Sequence, residues 1–292
     1  MTNKERYIEW ASAQEYIPLF MMPWWLDAVC AGKEWDVLLS EDENGEIIGA
    51  LPYLLRKRAW LRYIIMPQQT PVGGIWVTPE ITADRWKTAE VCRQLKEQLD
   101  SLKLAYYYQQ YLPGSLCVNA MKALGFTAKE RITYRVEDLS NLDNVIASFS
   151  KNKRRQLQKA LSLHAERNMD IEDFYRFHCQ CLASRKRKIS YSREFLLVLE
   201  RKAKRAGQCE ILSICNADGE VYAAAFLVWD KNYMYYLIPA YEPTHGDTGA
   251  GALLVLEAMK RAREKQVMFD FEGSMNKGTA KHYKQFGSTP TT

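Results

Sequence analysis

The chain repeats its own layout, and that repeat restricts its fold more than any other feature. "ENGEIIGALPYLL" and "RAWLRYIIMP" place a polar, Gly-containing turn before two apolar strands, and "ADGEVYAAAFLVW" and "NYMYYLIPAY" do so again in the second half. Each copy continues into an amphipathic helix, TAEVCRQLKEQLDSL and then ALLVLEAMKRAREK, whose apolar residues recur three and four apart. A strand comes after each helix, LAYYYQQY and VMFDFEG, and then a short helix closing on Gly, NAMKALGF and HYKQFG. Strand, helix and strand in succession make a βαβ unit, so the repeat predicts two α/β domains in tandem. A chain of 292 residues is long enough for two. The boundary is set at 140/141, after the strand RITYRV that extends the first copy. The second copy stops soon after Gly287, so its matching strand is expected to be absent or very short.

The second copy differs from the first where the strand meets the helix. There the chain reads GDTGAG, residues 246–251, whereas the first copy carries the long insertion MPQQTPVGGIWVTPEITADRW. Backbone N–H groups at a helix N-terminus face anions, and glycine lets a phosphate approach the backbone closely. Gly246, Thr248, Gly249, Ala250 and Gly251 are therefore the candidate cradle for a phosphate-bearing donor, the alternative being a tight turn. No Gly-Lys-Ser/Thr comes after it, so this is not a Walker loop.

Charge marks the segment before that second copy. Residues 150–207 hold 16 Lys/Arg against 6 Asp/Glu, and the rest of the chain 24 against 29. The segment reads as helices over 144–163, 171–185 and 192–206, the last capped by Ser192 and stopped by Gly207. Its cations cluster in SKNKRRQLQK and SRKRK, which suggests an arm, 144–207, turned toward an anion rather than a set of solvated helix faces. Lys153, Arg154 and Arg155 are the candidate contacts.

A strand through VMFDFEG alternates, which puts Met268, Asp270 and Glu272 on one face and Val267, Phe269 and Phe271 on the other. Glu272 or Asp270 could act as general base or hold an incoming ammonium, and Tyr283 and Lys284 could touch leaving group or substrate. The alternative is that the two carboxylates cap turns and pair with Lys277 or Lys281.

With these motifs in place, the chain resembles the FemAB-like aminoacyltransferases, the methicillin-resistance Fem group built from duplicated GNAT-like domains. The likeness rests on "FMMPWWLDAV", "GALPYLLRKR", "SFSKNKRRQLQKA" and "FDFEGSMNKGTAKHYKQFG", and on Gly249-Ala250-Gly251 at the end of the GNAT loop pattern. Gly246 stands where that pattern has Gln or Arg, which favours a donor other than ordinary acetyl-CoA. The resemblance implies transfer of an acyl or aminoacyl group from acyl-CoA or aminoacyl-tRNA to an amine, a cell-wall (peptidoglycan) precursor among the acceptors. It implies no permanently bound cofactor and peripheral membrane contact through a lipid-linked acceptor, while the scattered, odd-numbered cysteines and the absence of an apolar N-terminal signal favour a reduced, cytoplasmic chain. Domain 1–140 would then shape the acceptor side, and 141–292, with its arm, the donor side. A non-catalytic nucleic-acid-binding protein using the arm is the alternative, although no RNP-type aromatic motif is present.

Other classes are excluded or disfavoured. No apolar run approaches the roughly 20 residues of a membrane span. His164, His178, His245 and His282 form no HExxH-type pattern, and seven scattered cysteines form no zinc CxxC.

Overall fold

The computed structural model describes residues 1–14, 16–30, 35–242, 246–273 and 275–292. His245 and Ser274, the latter in the Gly/Ser turn after VMFDFEG, lie outside these. The chain divides into two compact units, Met1–Glu130 and Arg131–Thr292. The division falls ten residues before the expected 140/141, because the strand RITYRV belongs to the second unit's sheet.

The first unit contains α1 (Asn3–Ala13), a 3-10 turn at Leu19–Met21, α2 (Pro23–Val29), β1 (Trp35–Glu41), β2 (Ile47–Arg58), β3 (Leu61–Ile64) and β4 (Trp76–Val77). It continues through α3 (Pro79–Thr82), α4 (Arg85–Ser101), β5 (Tyr106–Tyr107) and α5 (Cys117–Ala123). Its sheet runs β1-β2-β3-β5, with β4 on β2 and β5 parallel to β3. Thr2 starts α1 with a capping box, and Asp84 caps α4 by accepting from Trp86 and Lys87 N–H. The apolar stripe of α4, Val91, Cys92, Leu95 and Leu99, is buried against Leu38, Leu51, Tyr53 and Ile64. Trp25 is fully buried, and its indole donates to Thr70 Oγ1 at 3.1 Å.

The second unit comprises β6 (Thr133–Val136), α6 (Leu142–Ser148), α7 (Lys151–Lys159), β7 (His164–Arg167), α8 (Ile171–Ala183), α9 (Arg193–Arg205) and β8 (Cys209–Cys215). It ends with β9 (Val221–Trp229), β10 (Tyr233–Tyr241), α10 (Ala250–Glu264), β11 (Met268–Gly273), α11 (Lys277–Lys284) and β12 (Thr289–Thr291). Its seven strands are ordered β12-β6-β11-β10-β9-β8-β7. A short last strand does exist: β12 pairs antiparallel with β6. Alternation along β9 shows the layering. Ala225 and Leu227 join the cluster under α10, while Phe226 meets Phe174 of α8 on the other face, ring centroids 6.4 Å apart.

The basic segment is not one arm of free helices. The helix expected over 144–163 breaks into α6 and α7, because Phe149 is buried in an extended conformation and Ser150 caps α7 by accepting from Lys153 N–H. After α7 the chain enters the edge strand β7. The apolar faces of α8 and α9, including Phe174, Cys181, Leu196 and Leu199, are buried, so their exposed charges lie on the outer faces, where Arg193 pairs with Glu172.

Candidate functional site

Strands β10 and β11 run parallel only as far as Tyr235↔Asp270, and beyond that pair they are no longer in register with each other. Residues 238–241 of β10 stay paired with β9, and Gly273 of β11 pairs with Thr133 of β6. The two strands thus diverge inside a continuous sheet, and α10 begins at the open end. Backbone groups facing such a gap are available to an extended ligand.

Asp270 stands at the closed end. It lies opposite Arg135 in the register with β6, and Arg135 Nε donates to its Oδ2 at 2.8 Å. Thr133 Oγ1 and the Glu272 N–H both donate to Oδ1, the latter at 2.7 Å. Arg135 also donates to Tyr233 Oη at 3.0 Å and lies over its ring. Both partners are nearly inaccessible, with side-chain exposures of 11% and 4%. A carboxylate holding three donors is anchored, so this arrangement suits it to position the chain rather than to accept a proton.

Glu272, two residues on, is in the opposite state. Its φ is +61°, a left-handed conformation rare for a residue with a side chain, and it breaks the strand alternation the sequence predicts. The residue is half-buried, but Oε1 is inaccessible and has no hydrogen-bond partner among the described residues. Burial, and then the charge of Asp270, raise the Glu272 carboxyl well above the ordinary carboxylate range.

Tyr283 lies near it, and Tyr241 lies near Tyr283. Tyr283 of α11 stacks on Phe271, centroids 4.5 Å apart, and burial raises its hydroxyl pKa, with Tyr241, Glu272 and Asp270 contributing. Its hydroxyl makes no hydrogen bond among the described residues. Tyr241, at the end of β10, bonds Tyr236 Oη to Oη at 2.5 Å, and burial pushes it up to about 12. The Tyr241 carbonyl accepts from Arg185 Nη2 at 3.1 Å, which ties the basic turn after α8 to the open end of β10.

The loop before α10 has two distinct sides. Gly249 is the N-cap, with φ +80° and no side-chain cap; its carbonyl accepts from the Ala252 and Leu253 amides, so only the Ala250 and Gly251 amides of the first turn lack a backbone partner among the described residues. A Cβ on Gly249 would overlap the carbonyl oxygen of Gln156 in α7, so that face is filled by protein rather than open to phosphate. Asp247 holds the same contact, accepting from Gln156 Nε2 at 2.9 Å and Lys159 Nζ at 2.7 Å. A Cβ on Gly251 would stand 3.1 Å from the Tyr241 ring, on the side of the gap. Thr248 Oγ1 accepts weakly from Ala250 N–H at 3.4 Å, and Gly246, φ +68°, has open space around it.

Of the three cations expected to face an anion together, two are exposed and one is not. Arg154 donates to the Ala147 carbonyl, and Arg155 lies beside Asn152. Lys153 is only 4% exposed. Its ammonium donates to Gln156 Oε1 at 2.9 Å, sits 3.3 Å from His282 Nδ1 and lies over the Phe286 ring. Helical periodicity misses this, because the long apolar stem of Lys is read as polar at every position. His282 gives no sequence signal either, being one histidine among the charges of a short helix. Lys284 is exposed and lines a depression of about 520 Å³ with Ser150, Lys277, Ala280, Lys281 and Gln285. Lys277 and Lys281 therefore face that depression rather than pairing with Asp270. Among the described residues no group of acidic, His and Cys side chains could hold a metal, and no helix is long and apolar enough to cross a membrane.

Residues 147–285 match the family described as acetyltransferase (GNAT) domain, a match contained in the second unit. The structure of FemX superposes with TM-score 0.73 at 15% identity, covering 100% of this chain and 94% of that one. The C-terminal domain of a putative lysylphosphatidylglycerol synthetase from Agrobacterium fabrum gives 0.57 at 14% identity, covering 99% and 91%. A tandem GNAT protein from the clavulanic acid biosynthesis pathway gives 0.50 at 14%, also covering 99% and 91%. No curated protein matches in sequence. The parallel pair β10 and β11 joined through α10, the parallel pair β3 and β5 joined through α4 in the first unit and these likenesses agree: the chain has a tandem GNAT fold similar to that of FemX.

Proposed function

We propose that the second unit transfers an acyl or aminoacyl group from an activated donor to an amine. The observation that carries this reading is Glu272, a residue in a left-handed conformation with an inaccessible carboxyl oxygen that has no partner among the described residues, at the end of the strand that parts from β10. Nothing in the fold rewards such a residue, since an unsatisfied buried carboxyl and a positive φ both cost stability.

Attack of an amine on an ester or thioester forms the new C–N bond and expels the alcohol or thiol. The amine must lose a proton and the leaving group must gain one. A carboxyl whose pKa is raised above the ordinary carboxylate range is a stronger base, better matched to taking a proton from an ammonium. Tyr283, held neutral by burial, is the proton donor for the leaving group in this scheme. Asp270 with Arg135 fixes the strand end from which Glu272 projects. The amides at the start of α10, with Gly251 toward the gap, take a donor phosphate, and Arg154, Arg155 and Lys284 extend the positive field. Acyl-CoA and aminoacyl-tRNA both present the required phosphates, and a cell-wall precursor amine is one acceptor of suitable chemistry.

Titration of the protein with acyl-CoA and separately with aminoacyl-tRNA tests the reading. Saturable binding of one, with transfer to an added amine, is expected. Binding of neither would overturn it.

A further inference from the structure

In the first unit, β2 and β3 form a hairpin with the pairs Arg56↔Tyr63, Lys57↔Arg62 and Arg58↔Leu61, closed by Ala59 and Trp60. Three features of its tip work against stability. Ala59 has φ +53°, a conformation that a two-residue turn normally gives to Gly, Asn or Asp. Lys57 and Arg62 stand directly opposite each other, a like-charge cross-strand pair. Trp60 is 88% exposed and Leu61 beside it 46%, large apolar groups left in water.

The charges there are also one-sided. No acidic residue occurs between Glu46 and Glu80, a stretch that contains Arg56, Lys57, Arg58 and Arg62. Among the described residues none of these four makes an ion pair, and Arg62 Nε is inaccessible without a hydrogen-bond partner. An aromatic and an aliphatic side chain thus project from a tight turn, with cations on the strands behind them that make no ion pair among the described residues.

We propose that this hairpin tip docks on an anionic membrane surface. Tryptophan is favoured at the boundary of lipid and water, where its ring is buried and its N–H stays wet, and Leu61 adds apolar area at the same depth. The cations of the strands then meet the lipid phosphates, each strengthening attachment to an anionic leaflet. Single-stranded nucleic acid would also attract these cations, but it stacks its bases along a charged groove. This turn instead offers one isolated ring with an aliphatic neighbour. The inference concerns the first unit alone and does not depend on the transferase reading.

The full chain is sedimented with vesicles of phosphatidylcholine, and with vesicles in which roughly one-third of the lipid is phosphatidylglycerol. Binding is expected to the anionic vesicles only, and to weaken as salt rises. Trp60→Ser with Leu61→Ser should lower the affinity by about tenfold or more. Lys57→Gln and Arg58→Gln should each lower it by roughly fivefold. Brominated lipid should quench part of the wild-type tryptophan emission, and Trp60→Phe should abolish that quenching while vesicle binding persists. All these positions are exposed, and an unchanged circular dichroism spectrum checks the fold. Absence of binding to either vesicle, equal binding by the Ser variant, or binding of a single-stranded RNA lost in the same variants with none to vesicles would each overturn the proposal.

Discussion

Lys153 and His282 share a hydrogen bond between α7 and α11, Nζ to Nδ1 at 3.3 Å, with the lysine almost wholly buried. The contact clasps together the two helices that flank Phe286 and requires His282 to be neutral, so that Nδ1 can accept. Burial, and then the Lys153 charge, lower the His282 pKa to about 4, and burial lowers that of Lys153.

This gives an acid limb to stability. An imidazole with folded pKa about 4 and an unfolded value of 6.5 binds more protons when unfolded between those limits. Stability therefore falls as pH drops from about 6.5 to about 4 and the loss is complete below it. His178, lowered to about 4 by burial and Arg185, acts in the same window. Melting temperatures measured across it should fall, and His282→Gln should flatten the curve. An unchanged slope in that variant would remove His282 from the account.

Lys153 and its neighbours should separate in mutagenesis. Lys153→Glu puts a carboxylate into a site built around a cation and should destabilise by more than about 2 kcal/mol. Arg154→Glu and Arg155→Glu, on exposed helix surface, should leave the melting temperature nearly unchanged. The two arginine variants should nevertheless weaken donor binding at low salt, read by titration.

Glu272→Gln should trade activity against stability. Removal of a general base lowers turnover by about 10²–10⁴-fold. In the wild type, the raised carboxyl pKa makes the folded state the greater proton binder above the unfolded value of 4.5, so stability falls as pH rises through that window. Gln carries no such cost. The variant should melt higher than wild type on the alkaline side while losing turnover. A variant as active as wild type would leave Glu272 outside the chemistry.

Asp270→Asn should act through the fold. It removes the charge that compensates a nearly inaccessible Arg135, for which a loss of about 3–5 kcal/mol is the usual scale. A double variant with Arg135→Met should recover part of that loss in denaturant unfolding, which a proton-transfer role for Asp270 would not produce.

The two glycines of the loop should fail in different ways. Gly249→Ala meets the Gln156 carbonyl and a left-handed φ that alone costs about 1–2 kcal/mol, so it should lower the melting temperature. Gly251→Ala meets only the Tyr241 ring at 3.1 Å, and should fold while binding donor less tightly. Calorimetry with the donor distinguishes the two effects.

Local chemistry carried most of the architecture. The turn–strand–strand–helix–strand repeat, Ser192 as the cap of α9, Gly207 in a left-handed stop and the GDTGAG entry to α10 are all readable, because caps, turns and periodicity act over a few residues. The tertiary structure decided the relations between distant residues. Arg135 meets Asp270 across 135 positions of sequence, which assigns β6 to the second unit and turns one of two adjacent carboxylates into an anchor. Gln156 fills the far side of Gly249, and α11 covers Lys153, so a glycine that reads as open and a cation that reads as exposed are both enclosed. Spacing along the chain gives the face a side chain occupies within its own helix or strand. Which element covers that face, and whether a charge there finds a partner, depends on strand order and register, and those are settled only when distant segments meet.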